Sequence, residues 1–314
     1  MAAAALKLVA TAYGDLPETV TAPRVAPFVA AVKAPLPPPA PRAAWRDWLD
    51  VRLVTVLPTL MMLVVLLGVW EAACSSPTAR FPSPSKVWSE SYEVIVHPLK
   101  GVGFSDGRVT VTSGADVGIL VHIATSLQRV AVGFSLAAFA GIALGVLVGQ
   151  SLFAFRALDP LFQVLRTVPP LAWLPLSLAA FQQAQPATVF LIFITAIWPV
   201  ILNTAAGVRA IPPAYRNVGK VLALSPPQFF FKIMLPATVP YMFTGLRIGV
   251  GMSWLAIVAA EMVQGGTGIG FFIWDSYNSS LLTDTIVALI YIGMVGFALD
   301  RLVAAIGRRV GREV

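Results

Sequence analysis

The sequence predicts an all-α polytopic membrane protein with about six transmembrane helices. Three observations carry that expectation. Of 314 residues, 57% are apolar and only 12% charged, against about 25% charged in average soluble domains. The deficit is spread over long charge-free runs, the pattern a bilayer selects. The net charge of +7 resides between and beside those runs, so it reads as the cytoplasmic excess of Lys and Arg found in membrane proteins and not as a nucleic-acid surface.

Three regions follow along the chain. Residues 1–44 are rich in Ala and Pro, including Pro35, Pro37, Pro38, Pro39 and Pro41. Such a stretch favours extended polyproline conformations over a buried core, so a disordered cytoplasmic tail is expected. Residues 1–30 lack a compact apolar segment with a small-residue cleavage site, so the first long apolar run should stay as a transmembrane helix.

Residues 45–120 hold the first span and an external loop. Trp45 and Trp48 precede the run Val54–Trp70. Trp48 to Trp70 is roughly 33 Å as a helix, one bilayer with an aromatic anchor at each interface. Residues 75–120 are polar and punctuated by Phe81-Pro82-Ser83-Pro84-Ser85, Gly101, Gly103, Asp106 and Gly107. They predict a connecting loop with one short amphipathic helix near Val87–Ile95.

Residues 121–308 carry the remaining spans. Val130–Phe155 is the second, and Gly141, Gly145 and Gly149 at spacing four give it a face that another helix can approach closely. Thr167–Val208 is charge-free and too long for one helix. Gln182, Gln183, Gln185 and Pro186 divide it into a helical hairpin, whose first arm should be kinked by Pro169, Pro170 and Pro175. Residues 209–236 form a basic, Pro-bounded segment. Pro240–Met262 is the fifth span, residues 264–284 a Gly-rich connection, and Thr285–Val303 the sixth span.

Six spans put both ends on one side. The tail, the 150–159 and 209–236 segments and the C-terminus carry Arg42, Arg46, Arg52, Arg156, Arg209, Arg216, Lys220, Lys232, Arg301, Arg308, Arg309 and Arg312. The other side has Arg80, Lys86, Lys100 and Arg108, all in one long loop. The bias predicts cytoplasmic termini.

Little in the chain suggests covalent chemistry. One cysteine, Cys74, allows no intrachain disulfide, and His97 and His122 form no Cys/His cluster for zinc. The Gly219-Lys220 pair lacks the upstream glycine of a phosphate loop, so the chain is not its own ATPase by that route. An intramembrane serine protease is disfavoured because no Gly-x-Ser-x-Gly elbow exists and the histidines lie in or beside the loop. An ion-coupled transporter is disfavoured by the lack of an internal repeat and of further intramembrane charge.

The segment Pro213–Pro236 has room for two short helices, Ala214–Leu224 and Pro227–Met234, joined at Ser225-Pro226. Val218, Val221 and Leu222 lie on one face at helical spacing and need a partner protein or lipid headgroups to cover them. Arg247 stands inside the fifth span, where it either reaches back to the interface or guides an anion. Glu261 lies about 21 Å further along the same helix, too far to pair with Arg247. It is expected to anchor the helix end, with gating as the alternative.

Here a family resemblance becomes specific. Binding-protein-dependent import permeases carry a cytoplasmic loop of the form E-A-A-x3-G-x9-I-x-L-P. Aligned on Ile233, Leu235 and Pro236, the E-A-A positions hold Asn217, Val218 and Gly219, and the Gly position holds Ala223. The first half departs from the consensus, while Ile233-Met234-Leu235-Pro236-Ala237-Thr238-Val239-Pro240 fits it. The departures resemble the degenerate form in the nitrate/bicarbonate branch of the nitrate–sulfonate–taurine permeases. Phe81–Trp88 and Thr125–Phe134 are similar to stretches of that branch. Glu261 followed by Gly268-Ile269-Gly270-Phe271-Phe272-Ile273-Trp274-Asp275-Ser276-Tyr277-Asn278 looks like the nitrate and bicarbonate permeases in particular. The resemblance covers about residues 78–308.

It implies the type I ABC importer permease fold in the cell inner membrane, with no catalytic residue and no cofactor in this chain. It implies a separate cytoplasmic ATPase subunit docking on Asn217, Val218, Gly219, Ala223, Ile233, Leu235 and Pro236, with Ala223 marking close helix approach. It further implies an extracytoplasmic substrate-binding protein and a second copy of the permease, a homodimer enclosing one path. The substrate would be a small anion: nitrate first, then bicarbonate, cyanate and sulfonates such as taurine.

Overall fold

The computed structural model describes residues 44–76, 79–105, 108–111 and 117–311. The expected tail and Arg312 lie outside the described residues. The chain divides into two units, Met1–Leu66 and Leu67–Val314. Helix α1, Ala44–Cys74, contains the apolar stretch Val56–Cys74.

Beyond α1 the Phe-Pro-Ser-Pro-Ser string has a local explanation. The Trp70 indole donates to the Pro82 carbonyl at 3.1 Å, and Glu71 accepts from the Ser85 amide at 3.0 Å and the Ser85 hydroxyl at 2.7 Å. Ser83 then caps α2, Pro84–Glu90, which is followed by α3, Tyr92–Val96. The sequence led to one helix here; Ser91 separates two. An antiparallel hairpin follows, β1 (Val102–Ser105) paired with β2 (Arg108–Val111), Val102 opposite Val111. The expectation of a helix in a plain loop missed this small sheet.

Helix α4, Ile119–Gln150, starts eleven residues before the predicted second span. Gln128 and Arg129 do not end it, because Arg129 is neutralised by a carboxylate from another helix. Helix α5, Leu152–Thr167, occupies what read as a loop around Arg156. The prolines then act as predicted but more strongly. Val168 and Pro169 are extended, a 3₁₀ turn covers Pro170–Trp173, and a short helix α6, Leu174–Phe181, completes the arm. The bend between α5 and this arm is 94°, so the first arm is not a spanning helix by itself. The break falls at Gln182, in the left-handed conformation at φ 55°, and α7, Ala184–Arg209, is the return.

The central helix is α7, packed between α4 and α10 (Leu235–Gln264). The glycine face predicted on α4 meets it at register. A Cβ on Gly133, Gly141, Gly145 or Gly149 would come within 2.6–2.8 Å of Ile192, Val200, Thr204 and Val208 respectively. The glycines and their partners both step along their helices in multiples of four, so each residue row lies in the other's groove. On the other side, a Cβ on Gly245 of α10 would lie 2.8 Å from the Pro199 carbonyl of α7.

The segment Pro213–Pro236 gives α8, Pro213–Val221, and α9, Pro226–Phe229. The second expected helix does not end before the fifth span. A π-helical turn, Phe230–Met234, carries α9 into α10, so Pro226–Gln264 is one helical run of 39 residues, roughly 58 Å long. Pro236 and Pro240 fall in the first two turns of α10 without ending the run.

The Gly-rich connection contains a helix the sequence did not announce, α11, Ile269–Asn278, before the last helix, α12, Leu282–Val310. Among the described residues five helices are long and apolar enough to cross a membrane, or six if α5 and the bent arm count as one span.

Candidate functional site

Three constellations stand out, and α10 connects them. The first is the α8–α9 hairpin. Gly219 is buried where the two arms touch; a Cβ there would lie 2.7 Å from the Phe229 ring and 3.6 Å from Ile233. Close approach is therefore at Gly219 and not at Ala223. Ala223 is exposed and has φ +46°. Its amide donates to the Lys220 carbonyl at 3.0 Å and the Leu224 amide to the Gly219 carbonyl at 3.0 Å. That pair of bonds is a Schellman cap, whose left-handed residue is normally Gly. The family's glycine at this position thus answers to backbone conformation, and alanine occupies it at a cost.

Of the other predicted loop residues, Asn217 and Val218 are exposed on α8, while Ile233, Leu235 and Pro236 are half-buried where the hairpin enters α10. Gln228 accepts from the Ser225 amide at 3.0 Å and fixes the start of α9. The apolar face predicted on α8 is uncovered: Val221 is 85% exposed, Leu222 63% and, on the other arm, Phe231 64%. Open grooves of about 640 and 680 Å³ flank the arms, one beside Tyr215 and Ile233, the other beside Ala223 and Phe230.

The second constellation lies at the far end of α10. Glu261 is 1% exposed. It accepts from the Ser126 hydroxyl at 2.8 Å, from Arg129 Nη1 at 2.6 Å and from the Gly270 amide at 3.1 Å. Arg129 Nη1 also reaches the Thr267 carbonyl at 2.8 Å. The Ile269 amide donates to Ser126 Oγ at 3.0 Å and the Gly268 amide to His122 Nδ1 at 3.1 Å. The first turn of α11 is thus capped by three side chains from two other helices, His122 and Ser126 on α4 and Glu261 on α10. A side chain on Gly268 would collide with the Glu261 carboxylate. Glu261 was expected to anchor the end of its own helix; its carboxylate instead bonds the start of α11. His122, Ser126 and Arg129 were not among the predicted site residues; their spacing along one face of α4 was the available signal.

The third constellation is Arg247 on α10. Its guanidinium is doubly bonded to Asp300 of α12, Nε to Oδ1 and, at 2.7 Å, Nη2 to Oδ2. Arg247 is therefore paired and does not stand free. As expected, Arg247 and Glu261 do not meet.

This arrangement is that of a membrane transport subunit with a projecting hairpin, and comparison with known proteins agrees. Residues 138–312 match the family of binding-protein-dependent transport system inner membrane components. Over 249 residues the chain is 56% identical to the nitrate import permease protein NrtB of Synechocystis sp., covering 79% of this chain and 87% of that protein. Over 254 residues it is 57% identical to NrtB of Leptolyngbya laminosa, covering 81% and 87%. It is 46% identical over 273 residues to the bicarbonate transport system permease protein CmpB of Synechococcus elongatus, covering 86% and 93%. A solved chain of the MetNI methionine ABC transporter in an inward-facing conformation superposes with a TM-score of 0.54 at 15% identity, covering 61% of this chain and 95% of that one. The chain belongs to the family of binding-protein-dependent inner-membrane permeases. It has the type I ABC importer permease fold and is a multi-pass inner-membrane protein.

Proposed function

We propose that this chain is the membrane path of an ATP-driven nitrate importer. Similarity is the observation that carries the substrate: both relatives described above at more than half identity are nitrate import permeases. A substrate-binding protein on the outer face would present the anion, so the path itself need not be selective. Bicarbonate is the second reading, supported by the 46% identity to a bicarbonate permease over a longer stretch. The test is uptake of ¹⁵N-nitrate and of ¹⁴C-bicarbonate by cells lacking this chain and by the same cells with it restored. Nitrate uptake alone should return. Recovery of bicarbonate uptake alone would move the assignment to the second reading.

The α8–α9 hairpin is the proposed docking site for a separate ATPase subunit, with Asn217, Val218, Gly219, Ala223, Ile233, Leu235 and Pro236 as its framework. Exposed Val221, Leu222 and Phe231 supply the apolar contact that hairpin lacks within the chain. Replacing Leu222 by Glu should abolish co-purification of the ATPase while the protein stays membrane-inserted; retained ATPase would favour a lipid-surface role for this face. The Lys and Arg bias supports a cytoplasmic position for both termini and the hairpin. Two copies would enclose one path about a two-fold axis.

A further inference from the structure

Arg247 and Asp300 hold a position that a structural salt bridge does not explain. Both lie within spanning helices, α10 and α12. Yet their side chains are 52% and 33% exposed on the chain surface. Ionised groups at membrane depth face a water-filled path or another protein surface, because hydrocarbon solvates them poorly. The face they share is also unbalanced. An open groove beside Arg247 is lined by Phe243, Thr244, Ala304, Gly307 and Arg308, so a second guanidinium shares it and none of its lining residues is acidic. Arg301, next to Asp300 in sequence, lies over the Phe297 ring at 4.8 Å.

The bonding geometry names the chemistry. Arg247 uses two parallel N–H donors on the two oxygens of Asp300. That fork fits any planar oxoanion presenting two coplanar oxygens. We propose that Arg247 is an anion-exchange site on the translocation path, where Asp300 is a resident stand-in that a planar oxoanion, nitrate or bicarbonate, displaces in transit. Asp300 keeps Arg247 paired when no substrate is present. Its attachment to the chain means it recaptures the fork when the anion moves on, so the anion is passed along instead of being trapped. No bond is made or broken; one acceptor replaces another on the same donors. This inference rests on the reading of the chain as an anion permease.

The test uses the full transporter in proteoliposomes, with the ATPase and loaded binding protein in excess, and measures initial uptake of ¹⁵N-nitrate. Four forms are compared: wild type, Arg247→Gln, Asp300→Asn, and the double variant Arg247→Gln/Asp300→Asn. Arg247→Gln should slow uptake by about ten-fold or more, the loss of a charged, two-pronged contact. The double variant keeps an uncharged pair of the same shape, so it should assemble normally yet transport no faster than Arg247→Gln. Asp300→Asn should leave the anion uncontested on Arg247: uptake slows while washed complexes retain more ¹⁵N-nitrate than wild type. Wild-type uptake restored in the double variant would overturn the proposal and leave the pair as a clamp between helices. If wild type moves bicarbonate and not nitrate, the substrate assignment fails separately, and the same four-way contrast with ¹⁴C-bicarbonate decides the exchange site.

Discussion

One helix, α10, carries two arginine–carboxylate pairs, and they differ in almost every respect. At its C-terminal end, Glu261 and Arg129 are 1% and 14% exposed, and the carboxylate takes further bonds from a hydroxyl and a backbone amide. About 14 residues earlier, Arg247 and Asp300 are exposed and bonded among these residues only to each other. A buried charge is tolerable only when its remaining bonding capacity is met by fixed donors. Once met, it is immovable. An exposed pair with one partner each can exchange that partner. The first pair caps α11; the second links α10 to α12 at the chain surface.

Breaking the buried cluster should have the largest effect. Glu261→Ala strips the cap from α11 and leaves Arg129 without its counter-ion. Removing one partner of a buried pair costs about 3–5 kcal/mol. Purified protein in detergent should melt at a markedly lower temperature, and the level of the protein in membranes should fall. An unchanged melting temperature would mean that α11 is held by its apolar face alone.

The glycine seam ranks next. Gly145→Val places new carbons where Thr204 already sits, a Cβ contact of 2.6 Å. Overpacking of this kind costs about 1–3 kcal/mol. Gly251→Ala, where a Cβ meets nothing within 4 Å, is the control that should change stability little. Thermal unfolding of both variants side by side checks the register of α4 against α7.

The exposed pair should barely register in stability. Arg247→Gln and Asp300→Asn each remove a contact that solvent can largely replace, so melting temperatures should stay near wild type while uptake falls. Most local in its effect is Ala223→Gly, which relieves a left-handed alanine at the Schellman cap. A gain of about 1 kcal/mol in hairpin stability is expected, read as slower amide hydrogen exchange in residues 213–229 with transport unchanged. Slower exchange elsewhere but not there would contradict the cap.

Much of this was legible in the sequence, for reasons visible at particular residues. Span number followed from charge-free runs, and the α4 seam from Gly141, Gly145 and Gly149, because both signals are local and periodic. The hairpin's two helices were legible from Pro213, Ser225 and Pro226. The misses are non-local. Helix α11 has Gly268 where a capping side chain would stand, and its cap arrives from residues about 140 positions earlier and from Glu261. The start of α4 was hidden because Arg129 reads as a boundary until its partner is known. Arg247 read as a lone cation because Asp300 lies on another helix. Ala223 read as a point of close helix approach, whereas it holds a left-handed backbone, which leaves no trace in the sequence when the residue is not Gly. The continuity of α9 with α10 was missed because a π turn carries the helix past a stretch that reads as a break.

The contrast between the two pairs can be tested without any transport assay. Thermal unfolding of the purified full-length chain would be compared for Arg129→Gln/Glu261→Gln and for Arg247→Gln/Asp300→Asn, both charge-neutral pairs of similar shape. The first should lose a large part of wild-type stability, because its carboxylate also caps α11; the second should melt close to wild type. Equal losses in both, or a larger loss in the second, would contradict the assignment of one pair to architecture and the other to exchange.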